Sequence, residues 1–358
     1  MRPRLITTNR SHVLRIGNSP FEYEWISDWA KIPNQESATS GWAHHGMAVT
    51  DSGDVIAIHP AESLAMVFDQ DGELLRSFEI PVREAHQLTL AKIEGEQFLW
   101  IADPGRKNIK TNGAYEPTQG EWCGQAVRVS VATGERIQQI TAPPHSAYCD
   151  EDFAPTSVAV FETTGGGNGD VWVTDGYGAS LVHRFSADGN YIQTITGEEG
   201  EGGRFDCPHG IWVDYRSDNP ELYVADRTNR QVQVYDLEGK YKRTFGKGLL
   251  TSPSCFAIDG SNIIVGELRA RLAVFHINDD FLTFIGENEA IARVERNSTD
   301  DVPGWPNGLD DSGNAARSTV LEEGKFNSPH GIATDSAGNI YSGEWLIGGR
   351  YTKLAKLG

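Results

Sequence analysis

Four histidines stand at like places in a chain that has ten: His45 in AHHG, His86 in EAHQ, and His209 and His330 in two copies of PHGI. A single histidine at the start of a strand is ordinarily a hydrogen-bonded structural residue. Four at matching places in a repeat are a different matter, because a closed ring makes them converge. Neutral imidazoles that meet at one point suit Zn²⁺ or another borderline divalent ion. We therefore expect His86, His209, His330 and His45 to hold a metal. Zn²⁺ is the leading expectation. Fe, Mn, Co and Ni also suit imidazole, and a separate structural Ca²⁺ is kept open.

The elements that position these histidines come from an internal repeat, which must be sought before any fold is assigned. One unit reads CPHGIWVDY, ELYVAD, RQVQVYD, then the turn LEGK and YKRTFG. Others read APTSVAVF, DVWVTD, LVHRFS, ADGN, YIQTIT and HHGMAVT, DVIAIH, LAMVFD, QDGE, LLRSFE. Six units follow this order, beginning near residues 45, 86, 156, 209, 254 and 330. Each holds four short β-rich strands over about forty residues, the signature of a propeller rather than a helical solenoid. The sixth unit ends after three strands. The stretch FEYEWISDWAKI at 21–32 is a strand without a unit, and it is expected to complete the last blade and close the ring. The expected fold is all-β: one six-bladed β-propeller of the NHL-repeat type spanning 1–358.

Alignment of the units defines two rings. The first is His45, His86, Thr156, His209, Ser254 and His330, at the mouth of each innermost strand. The second, at the end of each second strand, is His59, Asp103, Asp175, Asp226, Glu267 and Glu344. Its carboxylates suit two roles equally: orienting the histidines, as carboxylates behind metal sites do, or capping turns. Glu344 and Glu267 also suit an acid or base. Residues just past this ring face the same end, and Arg106, Arg269, Trp345 and His59 are candidate substrate contacts. Three stretches break the rhythm, at 104–125, 141–154 and 286–327. Long loops of this kind are commonly lids or binding walls. The first carries Tyr115 and Trp122, the last Trp305, Pro306 and Asn307.

Composition narrows the partners. A net charge of −19 repels phosphate backbones, which argues against nucleic acid and anionic membranes. The start of the chain has no apolar stretch of signal-peptide type, and no run is long enough for a membrane helix. The four cysteines form no CxxC pair, so zinc ribbons and thioredoxin chemistry are excluded. Reduced thiols in a cytoplasmic protein with a small-molecule substrate are expected.

The motifs PHGI, APTSVAV…VTDGYG, PHGIWV…VADRTNRQVQVY and SPHGIATD…IYSGE resemble the catalytic core of peptidyl-α-hydroxyglycine α-amidating lyase. The resemblance runs over roughly residues 40–350 and is strongest in blades three, four and six. That family is a six-bladed NHL propeller that uses a zinc on three histidines and a nearby tyrosine to split an N–C bond. The resemblance implies zinc ligands at His86, His209 and His330, a catalytic tyrosine at Tyr177 of TDGYG, and an active-site arginine at Arg227. A substrate-binding arginine of the family falls near Pro60 here, His45 stands where the family has a small residue, and Gly178 leaves no disulfide beside Tyr177. The expected function is a metal-dependent lyase on a small polar substrate, with Tyr177, Arg227 and Glu344 as catalytic candidates. A metal-dependent hydrolase of the lactone or ester type, and a protein-binding propeller with a structural metal, stay open as alternatives.

Overall fold

The computed structural model describes residues 13–118, 123–294, 302 and 304–358. Trp122 lies outside the described residues, as do parts of the first and last long insertions. Six antiparallel sheets form six blades around one channel. Blade four is the clearest: Pro208–Asp214, Glu221–Asp226, Gln231–Tyr235 and Tyr241–Phe245 pair in chain order, innermost first. Blade six is built from both ends of the chain. Pro329–Thr334, Ile340–Glu344 and Arg350–Lys356 are joined by Phe21–Ile26, which pairs with the last strand from Tyr23↔Lys356 to Ile26↔Lys353. The N-terminal strand thus closes the ring, as expected from its sequence. Arg15–Asn18 adds a fifth strand outside it.

The local chemistry of each blade is repetitive. Strands two and three are buried on both faces because each sheet packs between two others, and every residue of Val171–Asp175 and Gln231–Tyr235 is buried. The turn to the outer strand is tied by an aspartate. Asp236 Oδ1 accepts from the N–H groups of Glu238 and Lys240, while Gly239 takes φ +83°. Asp69 and Gly72 repeat the device in blade one. Six apolar clusters result, one between each pair of neighbouring blades, around buried rings such as Trp100, Trp172, Tyr223 and Tyr341. Truncating Trp172 to Ala would cost about 3–5 kcal/mol on this account.

The long insertions carry small elements of their own. Asn108–Thr111 and Ala114–Pro117 form a hairpin, Ser146–Cys149 a 3₁₀ turn, and Gly308–Leu309 and Ala315–Ala316 a second short hairpin. Inside the channel, a cavity of about 360 Å³ is lined by inner-strand residues including Leu88, Phe256, Ile332 and Thr334. Gln87 stands at its histidine end: its amide also donates to the His330 carbonyl. No helix among the described residues is long and apolar enough to cross a membrane.

Candidate metal centre

The histidines of blades two, four and six converge at the mouth of the channel. Ring centroids lie 4.7 Å apart for His86–His209, 4.6 Å for His86–His330 and 4.9 Å for His209–His330. All three side chains are fully buried. Two of them are oriented by the main chain of the next blade, while His330 Nδ1 lies 3.3 Å from the Gln87 amide nitrogen. His86 Nδ1 donates to the Thr156 carbonyl at 2.6 Å and His209 Nδ1 to the Ser254 carbonyl at 2.8 Å. Fixing Nδ1 this way turns Nε2 toward the axis as the free donor atom. His330 Nε2 is buried with no hydrogen-bond partner at all. Burial pushes all three imidazoles far below their ordinary pKa, and the neighbouring His44 and Arg227 act in the same direction. Neutral imidazoles are the state a divalent ion requires. The donor set therefore fits a borderline metal such as Zn²⁺.

Tyr177 and Arg227 join them. Tyr177 Oη lies 3.1 Å from His86 Nε2, 3.3 Å from His209 Nε2 and 3.3 Å from an Arg227 guanidinium nitrogen. The Arg227 guanidinium also sits 5.3 Å from the Tyr177 ring centroid. Burial raises the phenol pKa, and the guanidinium opposes that rise by favouring phenolate. Both residues lie in the turn that follows a second-strand aspartate. Tyr177 stands two residues past Asp175, and Arg227 one past Asp226.

His45 takes no place in the cluster. Consecutive residues of extended chain face opposite sides, and of the pair His44–His45 it is His44 that faces the axis. One ligand atom each from His44, His86 and His330 lies within 4.8 Å of the others. His45 instead packs between blades one and six. Its Nδ1 lies 2.9 Å from the Tyr351 hydroxyl, and the ring fits because Gly343 and Gly349 lack side chains. A Cβ at Gly349 would come within 2.9 Å of His45 Nε2. Burial lowers the His45 pKa to about 3.

The second ring ties loops rather than histidines. Asp103 accepts from the N–H groups of Arg83, Glu84 and Gly105, and Asp175 from those of Ala154 and Ala179. Asp226 accepts from Asp206, and Glu267 from Ser252. His59 does the same with Nδ1, accepting from Ala61 and Glu62. Glu344 is fully buried, accepts from the N–H groups of Asn327 and Ser328, and pairs with Arg350. Its lone pairs are thus committed to the fold, not to acid–base work. The same network brings each innermost strand to its place, so these residues set where the histidines begin.

The other candidates divide. Trp345 stacks on His44, with centroids 5.4 Å apart and planes at 15°. Trp42 lies 5.5 Å behind Trp345, and Tyr115 meets Trp42 edge-on at 5.5 Å. The first insertion thereby reaches the site through a relay of rings. Arg269 packs on Trp305 and donates to the Val294 carbonyl, and Arg106 is exposed with Asp152 at 3.7 Å. Neither has a described contact with the histidines. Sequence reasoning passed over His44, Glu84 and Lys107. The doublet at 44–45 and the acidic residue two before His86 were the available signals.

Comparison with known proteins places this geometry among related propellers. No protein-family model matches the chain. Human NHL repeat-containing protein 3 is 26% identical over 65% of this chain and 67% of its own length. Rat peptidylglycine α-amidating monooxygenase is 37% identical over 62% of this chain, but this covers only 23% of that protein. A probable peptidyl-α-hydroxyglycine α-amidating lyase of Caenorhabditis elegans is 27% identical over 42% of this chain and 36% of its own length. A streptogramin B lyase structure superposes with a TM-score of 0.53 at 14% identity, covering 93% of this chain and 97% of that one, which speaks for the fold alone. The chain is a six-bladed β-propeller whose relatives include NHL-repeat and amidating-enzyme proteins.

Proposed function

We propose that this protein is a metal-dependent lyase acting on a small polar substrate that carries a hydroxyl beside the bond to be broken. The observation that carries the reading is the approach of Tyr177 Oη to two buried histidine Nε2 atoms and to Arg227 at one point. His86, His209 and His330 would hold a divalent ion, most simply Zn²⁺, acting as a Lewis acid toward a substrate oxygen. Tyr177 Oη is the group that takes up or returns the substrate proton, and Arg227 favours its ionised form. Arg227 also offers a planar fork to an anionic substrate group. The ring relay of Trp42, Trp345 and Tyr115 walls one side against water. Similarity to amidating enzymes supports this chemistry, and Pro60, near which a substrate-binding arginine of that family would fall, speaks against a peptidyl-hydroxyglycine substrate. The acidic surface favours a small-molecule partner over nucleic acid or membranes, and unpaired cysteines favour a cytoplasmic setting.

A second reading is favoured by His44. Four neighbouring imidazoles suit a closed, structural metal in a binding propeller. The two separate on turnover. Screening small α-hydroxy amides and related compounds with the zinc-loaded protein should find cleavage whose product masses sum to the substrate. Products heavier by one water would show hydrolysis, and no turnover by a protein with full metal content would favour the structural reading.

A further inference from the structure

His44 is held by a carboxylate, whereas His86 and His209 are held by main-chain carbonyls. Glu84, almost fully buried in the loop entering blade two, accepts from the His44 main-chain N–H at 2.6 Å. The same Oε1 lies 2.8 Å from His44 Nδ1. Trp345 stacks on the face of the ring. Glu84 is itself located by Asp103, which accepts from its N–H, and Lys107 Nζ stands 3.8 Å from its second oxygen. A carboxylate on Nδ1 fixes the tautomer and leaves Nε2 as the donor, which is the arrangement that orients metal-bound histidines. The His44 ring centroid lies 4.5 Å from that of His86 and 4.9 Å from that of His330, whose Nε2 has no partner.

We propose that His44 is a fourth donor to the ion, presented by Glu84, so that the site contains two overlapping triads sharing His86 and His330. The inference rests on the reading of the cluster as a divalent-metal site. One triad adds His209, which contacts Tyr177; the other adds His44, which is backed by Glu84. Loss of either outer histidine leaves one triad whole, whereas loss of a shared one breaks both.

The test compares Zn²⁺ affinity, by competition with a chromophoric chelator, and the visible spectrum of the Co²⁺-loaded protein. The proteins are wild type, His44→Ala, His44→Gln, Glu84→Gln, His209→Ala, His86→Ala and His44→Ala/His209→Ala, with folding checked by near-ultraviolet circular dichroism. His44→Ala and His44→Gln should each weaken Zn²⁺ binding and alter the Co²⁺ spectrum. Glu84→Gln should weaken Zn²⁺ by about 10–100-fold. His209→Ala should still bind, and the double variant should not. Wild-type affinity and spectrum in the folded His44 variants would overturn the proposal, even if turnover fell. If His86→Ala alone abolished binding in that case, the metal reading would stand without His44. A wild-type protein that bound neither ion would overturn both.

Discussion

Blade three and its surroundings contain two histidine–tyrosine clusters that differ in one respect. At the channel mouth, Tyr177 Oη meets His86 and His209, and His330 Nε2 has no partner. On the outer side, the Tyr148 hydroxyl donates to Asp175 at 2.7 Å and lies 2.5 Å from His183 Nε2, while His183 Nδ1 meets Thr194 at 2.8 Å. The outer cluster is closed: each nitrogen of its histidine is committed. The inner one is open at His330, whose buried Nε2 has no partner. Buried polar atoms ordinarily find partners, so the open cluster is the one that asks for a ligand. Residue type is the same in both. What separates them is the accounting of hydrogen bonds, which the sequence does not display.

Substitutions sharpen the contrast. The largest effect belongs to Tyr177→Phe. It should keep the metal and the fold and lower turnover by about 10²–10⁴-fold, the usual share of a positioned proton-transfer group. Metal content measured beside kcat checks it, and full activity would remove Tyr177 from the chemistry. Tyr148→Phe is the matching change in the closed cluster. It strands buried groups on Asp175 and His183 and should cost about 1–3 kcal/mol in urea unfolding, with metal content unchanged.

A smaller effect concerns pH. Burial lowers the His183 pKa to about 3, below its unfolded value near 6.5. The unfolded chain therefore binds the extra proton first as pH falls, and stability rises with pH over this window. The contribution is complete above about pH 6.5 and is lost progressively toward pH 3. His183→Gln should flatten this part of the stability profile measured by thermal unfolding at intervals between pH 4 and 7. An unchanged slope would show that other buried groups, His45 among them, carry the acid sensitivity.

The propeller was legible because it is periodic. Six copies of one strand pattern, and a stray N-terminal strand matching a missing outer one, leave little choice of closure. His86, His209 and His330 were legible because each sits at the same place in the repeat, and Tyr177 and Arg227 through the resemblance to the amidating lyases. His44 was not, since a repeat alignment selects one member of a doublet, and a shift of one residue exchanges the channel for the blade interface. The acidic ring was ambiguous for another reason. Its members stand where carboxylates could orient histidines, yet the N–H groups of the preceding loops are nearer, as with Asn327 and Ser328 on Glu344. Backbone donors leave no mark in residue type.

The central claim is that the converging histidines hold a metal. Its most direct test is the metal content of purified protein by plasma mass spectrometry, beside a His86→Ala/His209→Ala/His330→Ala variant shown to be folded. The account predicts about one divalent ion per wild-type chain and none in the variant. No metal in the wild type after dialysis against Zn²⁺, or equal metal in both proteins, would contradict it.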